Sequence, residues 1–300
     1  MQTASALSAP PRVFTQSKPV MLYEPPESRD ELARREHATD SNPALSASEQ
    51  HSPNVFARQE EKYLLDEDTG KRLIAGLGSA LIPDDRGSAL VSSLYLDTPE
   101  HVLIRRSIEK PDYKEKLRVR TYGSVHMGTH KAFLEIKKKF LGIVYKRRVG
   151  MSLREARQFI EQGVLPLSLY RDADTQKAVF NRQIMRELEQ ARFLYGGLEP
   201  LLLLTYERQA YEYVSSDGAS PLRITFDRRI GFAPGSWEWW EGKETCPLLP
   251  ADTGVMEIKA SNALPLELTR TLAEAGVFPR SFSKIGTAYR QFITNEEGTT

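Results

Sequence analysis

The chain has 300 residues, of which 40% are hydrophobic and 27% are charged, a composition typical of a soluble globular protein. Its 41 basic and 40 acidic residues leave a net charge of +1, which argues against a protein that coats nucleic acid through overall charge. A single cysteine, Cys246, excludes an internal disulfide framework, and no apolar run approaches the roughly 20 residues needed to span a bilayer. These features favour a cytoplasmic protein without a transmembrane segment of its own.

Residues 1–54 differ in composition from the rest of the chain. They contain seven of the 18 prolines, among Ser, Ala, Thr and Glu, with few large apolar residues. Such a segment cannot bury enough apolar surface to offset the entropy lost on ordering. We therefore predict a disordered N-terminal tail at residues 1–54 and a folded domain at residues 55–300.

Strands and helices are predicted from residue 55 onward, because polar and apolar residues alternate with period two or recur at helical spacing. The predicted strands cover residues 56–65, 89–98, 114–123, 131–140, 143–149, 200–214, 222–232 and 254–261. The predicted helices cover residues 68–81, 152–162, 174–195, 266–275 and 281–293. Ser152 and Glu155 form a capping-box signature at the start of the second helix. Gly142 is expected to turn 131–140 into 143–149 as a hairpin.

Most predicted strands carry charged residues on one face and apolar residues on the other. The charged positions are Arg58, Glu60, Lys62, Lys116, Arg118, Arg120, Glu135, Lys137, Lys146, Arg148, Arg208, Arg223, Asp227, Glu257 and Lys259. A solvated sheet face would produce the same alternation, and for any one strand this is the simpler interpretation. Here Arg and Lys dominate, and like charges on adjacent strands destabilise a sheet unless an anion compensates them.

A bound polyanion would supply that compensation. Arg presents a planar fork that donates two hydrogen bonds to a phosphate group, and Lys adds a mobile point charge. The scattered carboxylates suit a divalent cation, a hard ion that prefers oxygen ligands. Because the strands are too long and numerous for one open sheet, we predict a closed barrel that gathers the charged faces in one basic tunnel.

Nine short motifs then occur in the order found in a known family. They are R-x-E-x-K-Y at 58–63, SLYLDTP at 93–99, KLRVRTYG at 116–123, FLEIKKK at 133–139, YKRRV at 145–149, YERQAY at 206–211, RITFD at 223–227, MEIK at 256–259 and FSK at 282–284. Together they resemble the VTC domain, the polyphosphate polymerase module of the triphosphate tunnel metalloenzyme, or CYTH-like, superfamily. The resemblance covers roughly residues 55–295.

The resemblance implies an α+β fold in which an eight-stranded antiparallel β tunnel, a closed barrel, is braced by helices. It also implies a phosphotransferase that uses Mn²⁺ or Mg²⁺ to transfer the γ-phosphoryl group of ATP to a growing polyphosphate chain. ATP or another triphosphate, together with polyphosphate, is therefore the expected ligand. Any coupling to a membrane would need a separate partner protein.

Carried onto this sequence, the resemblance assigns three roles to charged residues. The expected catalytic residues are Arg118, Arg120, Lys137 and Arg208. The expected phosphate-binding residues are Arg58, Lys62, Lys116, Arg148, Arg223, Lys259 and Lys284. The expected metal ligand is Glu257, with Glu60 and Glu135 as the next candidates. Arg58 stands where the wider superfamily often has glutamate, which weakens the case for a second metal ion and favours the VTC branch.

Two other functions are compatible with the same residues. A triphosphatase of this fold would release phosphate without making polymer, and a non-catalytic module would bind polyphosphate without turnover. The choice depends on the acceptor, which sequence does not fix. Outside the charged faces, Trp237, Trp239 and Trp240 are interpreted as a hydrophobic cover over the barrel, with docking of a partner as the lesser alternative. Lys138 and Arg147 are expected to point outward into solvent.

Overall fold

The computed structural model describes residues 59–125, 130–141, 143–166, 169, 176–216, 222–239, 244–261 and 263–297. Its nine strands are β1 (Gln59–Asp66), β2 (Leu81–Asp97), β3 (Tyr113–Tyr122), β4 (Lys131–Phe140), β5 (Ile143–Ser152), β6 (Glu199–Tyr213), β7 (Leu222–Pro234), β8 (Cys246–Pro247) and β9 (Thr253–Ala260). Its six α-helices are α1 (Glu67–Leu77), α2 (Val102–Glu109), α3 (Leu153–Gln162), α4 (Gln176–Leu194), α5 (Leu266–Glu274) and α6 (Lys284–Glu297). The predicted tail at 1–54, together with Arg58, Gly142 and Trp240, lies outside the described residues.

All nine strands belong to one antiparallel sheet. Eight of them follow the order β1-β9-β7-β6-β2-β3-β4-β5, and β8 pairs with β7 beside this path. Within the described residues β1 and β5 do not pair with each other. The α+β class is confirmed, whereas the prediction of an eight-stranded closed barrel is wrong in both closure and strand number.

The free edge of β1 shows why the sheet stays open there. The backbone N–H of Arg280 donates to the carbonyl oxygen of Lys62 at 2.7 Å. The Lys62 ammonium group also donates to the carbonyl oxygen of Phe282 at 3.1 Å. The segment before α6 therefore occupies one backbone position of this edge, the Lys62 carbonyl oxygen, that a closing strand could otherwise use.

The apolar faces of the strands form the core beneath the helices. Val119 and Leu134 of neighbouring strands are fully buried in one cluster with Ile184 and Leu188 of α4. A second cluster joins β1, β7 and β9 to Leu268 and other residues of α5. The alternation predicted from sequence thus places one face of the sheet against helices and leaves the opposite, charged face to form a concave surface.

Two local features of the helices follow from capping chemistry. The capping box at Ser152 and Glu155 is confirmed, since each side chain accepts a hydrogen bond from the other's backbone N–H. Helix α2, which was not predicted, is held at its start by buried Asp97, whose carboxylate accepts the N–H groups of Leu103 and Ile104 at 2.8 Å. This cap lies at the end of β2, several residues before the helix, so a local pattern does not reveal it.

Other predictions concerned the outer surface. Trp237 and Trp239 are each 5% exposed and pack in the cluster beneath α3 and α4, as expected for a hydrophobic cover. Lys138 and Arg147 do lie on the outer face, but both form ion pairs with Glu187 of α4 rather than remaining solvated.

Among the described helices, none combines the length and apolar character needed to cross a membrane.

Candidate functional site

The charged faces of the strands surround a cavity of about 450 Å³. Its lining comes from every strand of the main path except β7, and from the beginning of α6. Glu60 of β1 lies 3.9 Å from Lys137 of β4, so the curved sheet brings together side chains of strands that are not neighbours. Among the residues that the structure describes, eleven basic and three acidic side chains line the cavity, and such an excess of positive charge in a concave site attracts anions.

Most of the sequence-predicted site residues meet in this cavity. Eleven of the fourteen line it: Glu60, Lys62, Lys116, Arg118, Arg120, Glu135, Lys137, Arg208, Glu257, Lys259 and Lys284. Arg223 is not among them, because it is 52% exposed and pairs with Asp84 at 2.6 Å. Arg148 lies over the ring of Phe133 at 4.9 Å and is also absent from the lining. Arg58 is outside the described residues.

One side of the cavity is built on Asp227, which is fully buried. Its carboxylate accepts two hydrogen bonds from the Arg208 guanidinium, at 2.6 and 2.7 Å, and the Lys284 ammonium lies 2.7 Å away. Asp227 therefore fixes two cations that come from β6 and α6. We call Arg208, Asp227, Glu257 and Lys284 the ionic floor.

Glu257 completes the ionic floor. Its carboxylate is 3.0 Å from Lys284, 3.5 Å from Arg208 and 3.7 Å from Lys259. Burial would raise the pKa of Glu257, but Lys284, Lys259 and Arg208 together hold that pKa well below its usual range. Burial opposes protonation of Lys284, yet Asp227 and Glu257 raise its pKa, so carboxylate and ammonium both stay charged.

A second ionic group lies on β3, β4 and β5. The Arg118 guanidinium contacts the Glu135 carboxylate at 2.6 and 2.7 Å, and Lys146 lies 3.1 Å from it. Burial would raise the pKa of Glu135, but Arg118 and then Arg120 and Lys146 lower it to about 2. Glu135 is thus a counter-ion for Arg118 and Lys146, as Glu257 is for Arg208 and Lys284, and it fixes the position of the Arg118 guanidinium.

Arg120 is held differently, by neutral oxygen atoms. It is 6% exposed, and it donates to the hydroxyl groups of Ser93 and Tyr206, each at 3.1 Å. No carboxylate in the described part of the chain forms an ion pair with it. A buried guanidinium without a directly paired carboxylate is well suited to bind an anionic oxygen.

Tyr206 and Tyr95 are site residues that sequence reasoning missed. The Tyr206 ring lies 5.2 Å from the Arg208 guanidinium and 5.3 Å from the Lys284 ammonium, and Tyr95 accepts a hydrogen bond from Arg118 at 3.0 Å. The signal for Tyr206 was its position two residues before Arg208, on the same face of β6. Tyr95 had a weaker signal, since it required knowing that β2 pairs with β3.

The first turn of α6 adds partial positive charge to the cavity. Ser283, Lys284 and Ile285 line it, and the Ser283 hydroxyl accepts the backbone N–H of Gly286 at 3.2 Å. The N-terminal end of a helix carries unpaired N–H groups and the positive end of the helix dipole. The helix and the strands therefore favour the same kind of ligand.

Glu60 and Glu257 are the carboxylates of the cavity that could hold a divalent cation. Glu60 and Glu257 lie on one face of paired strands, with Glu60 opposite Lys259 and Glu257 opposite Lys62. Within the described residues no three metal-ligating side chains cluster together. Two carboxylates beside an anion cavity fit Mg²⁺ or Mn²⁺, because such ions commonly take their remaining oxygen ligands from substrate phosphates and water.

Comparison with known proteins places the chain in a family. The sequence pattern of the VTC domain matches residues 57–293. A candidate adenylate cyclase from Bacillus halodurans is similar in structure, with 16% identity and a TM-score of 0.41 over 75% of this chain and 92% of that one. Another from Vibrio parahaemolyticus has 12% identity and a TM-score of 0.37, over 77% of this chain and 97% of that one. No curated protein matches the sequence significantly. Since the domain match spans every described strand, the chain belongs to the VTC domain family.

Proposed function

We propose that this chain is a metal-dependent polyphosphate polymerase that transfers the γ-phosphoryl group of ATP to a growing polyphosphate chain. The observation that carries the proposal is the cavity itself, in which eleven cations and three carboxylates of the described residues converge within a VTC domain. The same observations support the broader assignment of an enzyme that acts on triphosphates.

Phosphoryl transfer requires little covalent participation by the protein. The reaction needs an in-line arrangement of donor and acceptor and positive charge on the phosphoryl oxygens. The terminal oxygen of polyphosphate is already anionic, so it can form the new P–O bond without a protein base. As that bond forms, the bond from the γ-phosphorus to its bridging oxygen breaks, and ADP leaves with the electron pair.

Fixed cations provide that arrangement in this proposal. Arg118 and Arg208 are held rigidly by Glu135 and Asp227, so their remaining N–H groups keep fixed directions toward a ligand. Arg120 contributes a buried charge with no paired carboxylate among the described residues. Together these guanidinium groups would bind the phosphoryl oxygens of the triphosphate.

A Mn²⁺ or Mg²⁺ ion would be held by Glu257, with Glu60 as the second carboxylate. When bound, the ion would neutralise part of the phosphate charge that the cations leave uncompensated. Lys259, Lys284 and Arg208 surround Glu257 and keep its carboxylate ionised, so the metal ion would share this carboxylate with those cations.

The test is to incubate purified protein with ATP and Mn²⁺ and to assay polyphosphate on a stained gel and free phosphate in solution. We expect polymer from the wild type and its loss in Arg120→Ala and in Glu257→Ala. Arg157→Ala is the control, since Arg157 is an exposed residue of α3 that pairs with Glu161 and Glu238 outside the cavity.

Each other outcome assigns a different function. Full polymer synthesis by both cavity variants would contradict the proposal. Free phosphate without polymer would identify a triphosphatase, and tight polyphosphate binding without turnover under either metal would identify a binding module.

A further inference from the structure

The concave face of the sheet changes character along β3 and β4. Where β3 begins and β4 ends, it carries four lysines that line the cavity, and we call them the lysine mouth: Lys114, Lys116, Lys137 and Lys139. At the opposite end it carries two aromatic residues instead, Tyr122 of β3 and Phe133 of β4. Alternation along each strand places Tyr122 on the same face as Arg120, and Phe133 on the same face as Glu135. The cationic cavity is therefore bordered, beyond Arg120, by an aromatic surface.

Phe133 is the centre of this aromatic surface. Its ring meets the Tyr122 ring edge-on, with 5.9 Å between the two ring centroids. The Arg148 guanidinium lies over the Phe133 ring at 4.9 Å, and the Lys131 ammonium group is 5.6 Å from the ring centroid. A Cβ atom on Gly150 would lie 3.4 Å from the ring, so a glycine at this position of β5 lets the ring pack close to the backbone. We call Tyr122, Lys131, Phe133 and Arg148 the aromatic end.

The two cations of the aromatic end are exposed and lack a carboxylate partner. Among the residues that the structure describes, no carboxylate forms an ion pair with Lys131 or Arg148. Arg147, which faces the helices, makes the opposite arrangement: it lies 5.7 Å from the Phe180 ring and pairs with Glu187 at 3.0 Å. The Arg148 guanidinium thus has an aromatic ring on one side and remains accessible to a ligand.

The chemistry of the aromatic end fits a nucleobase. The planar face of a base stacks on aromatic rings and on the plane of an arginine guanidinium, and this stacking tolerates different bases. A phosphate group would use the N–H groups of Arg148 but would gain nothing from the rings of Tyr122 and Phe133.

The position of the aromatic end fits the nucleoside of a bound triphosphate. Phe133 lies directly opposite Arg120 in the pairing of β3 with β4. Tyr122 follows Arg120 by two residues, which is about 7 Å along a strand. A triphosphate held by Arg118 and Arg120 therefore has the aromatic end within reach of its nucleoside.

We propose that the aromatic end binds the adenine base of ATP, stacked on the pair formed by Arg148 and Phe133, and that it gives the enzyme a preference for purine nucleotides. A purine has a larger π face than a pyrimidine and stacks more strongly. The inference deepens the proposed function and rests on it for the choice of ATP as substrate. It also assigns Arg148, which the sequence resemblance implied as a phosphate-binding residue, to the base.

The experiment measures the affinity of the full chain by titration calorimetry for the β,γ-imido analogues of ATP and UTP and for inorganic tripolyphosphate. EDTA is present, so that metal-dependent turnover does not occur. We compare the wild type with Phe133→Leu/Arg148→Gln, which removes the stacking pair. The matched control, Arg147→Gln/Phe180→Leu, removes the corresponding pair on the outer face. Thermal unfolding of each variant checks the fold, and single Arg148→Gln, at an exposed position, replaces the double variant if that one unfolds.

In the wild type we expect the ATP analogue to bind more tightly than the UTP analogue. In the variant of the aromatic end the affinity for the ATP analogue falls about tenfold, as expected for one lost base stack, and the preference for the purine disappears. Affinity for tripolyphosphate falls only about twofold, because the exposed charge of Arg148 is screened by salt. The control variant retains the wild-type affinities.

Three results would overturn the inference. The first is a wild type that binds the two nucleotide analogues equally, and the second is a variant of the aromatic end that keeps the wild-type preference. The third is an equal loss of affinity for tripolyphosphate and the ATP analogue, which would return Arg148 to phosphate binding. Failure of the proposed function is distinguishable, since a chain that makes no polymer from ATP can still show the purine preference in this assay.

Discussion

The ionic floor and the lysine mouth contain similar cations in opposite electrostatic settings. On the floor, Arg208 and Lys284 share the carboxylates of Asp227 and Glu257 at distances of 2.6 to 3.5 Å. At the mouth, lysines face lysines across β3 and β4. The floor is thus neutralised without a ligand. The lysine mouth, which comprises Lys114, Lys116, Lys137 and Lys139, contains one ion pair, between Lys137 and Glu60 at 3.9 Å, and gains further compensation when an anion binds.

This difference indicates a division of labour. Carboxylates that hold cations reduce the net attraction for an anion but fix the direction of each donor, which is what in-line transfer needs. Cations without partners attract a polyanion strongly but do not orient it. Under the proposed function, the floor would position the reacting phosphates and the mouth would attract the polyphosphate chain.

The largest effect is expected from Asp227→Asn, which removes the shared counter-ion of the floor. It leaves Arg208 and Lys284 with less compensation for their charge in a buried setting, and loss of one partner of a buried ion pair typically costs about 3 kcal/mol. We expect the free energy of unfolding in urea to fall by about this amount and phosphoryl transfer to be lost.

Asp84→Asn is the matched control for that variant. Asp84 pairs with Arg223 at 2.6 Å, as Asp227 pairs with Arg208, but Arg223 is 52% exposed. The change should cost less than about 1 kcal/mol, the usual contribution of an exposed ion pair. Equal destabilisation by the two substitutions would show that burial does not distinguish the floor.

The sequence predicts the features of the floor and the mouth that depend on neighbouring residues, but not those that depend on residues far apart in the chain. Period-two alternation in β3 and β4 correctly placed Arg118, Arg120 and Lys137 on one face, because strand geometry alone sets which face a residue occupies. The identity of the cross-strand neighbour depends on register, which only the fold defines. For that reason the pairing of Lys114 with Lys139 and the bonding of Asp227 to Lys284 were not foreseen.

The prediction of a closed barrel was wrong for a related reason. Strand number and length were read from local patterns, whereas closure depends on whether the first and last strands of the sheet can pair. The described residues show the edge of β1 hydrogen-bonded to Arg280, some 220 residues later in sequence. No periodic pattern in either segment indicates that contact.

Tyr206→Phe should have a smaller effect than loss of Asp227, because it removes one hydrogen-bond acceptor and keeps the aromatic ring. Arg120 loses a partner at 3.1 Å, and one hydrogen bond is worth about 1 kcal/mol, so kcat/KM for ATP should fall about fivefold. Tyr211→Phe, on the apolar face of the same strand, is the control. A similar fall in both variants would mean that the Tyr206 hydroxyl does not position Arg120.

Alkaline pH should weaken the binding of anions in the cavity, to a degree between the effects of Asp227→Asn and Tyr206→Phe. Burial lowers the pKa of Lys116 to about 8. Burial also lowers the pKa of Lys146 to about 8, although the charge of Glu135 acts to raise that pKa. An anion binds the protonated amines, so affinity for tripolyphosphate should decline as pH rises through about 8, by about tenfold in all. Lys116→Arg should lessen the decline, because arginine stays charged. A flat profile up to pH 9.5 would contradict it.

The smallest effect is expected from Arg223→Gln. The sequence resemblance implied that Arg223 binds phosphate, but the structure places this residue outside the cavity lining, where it pairs with Asp84. Affinity for tripolyphosphate should change less than about twofold, as for an ordinary surface substitution. A loss as large as that of Arg120→Ala would extend the site to this end of β7.

The most direct test of the division between floor and mouth measures ATP consumption and product length together in three proteins. These are the wild type, the floor variant Glu257→Gln and the mouth variant Lys114→Gln/Lys139→Gln. The account predicts that the floor variant stops consuming ATP, whereas in the mouth variant the chains shorten far more than ATP consumption falls. Loss of ATP consumption to the same degree in both variants, or chains of wild-type length from the mouth variant, would contradict it.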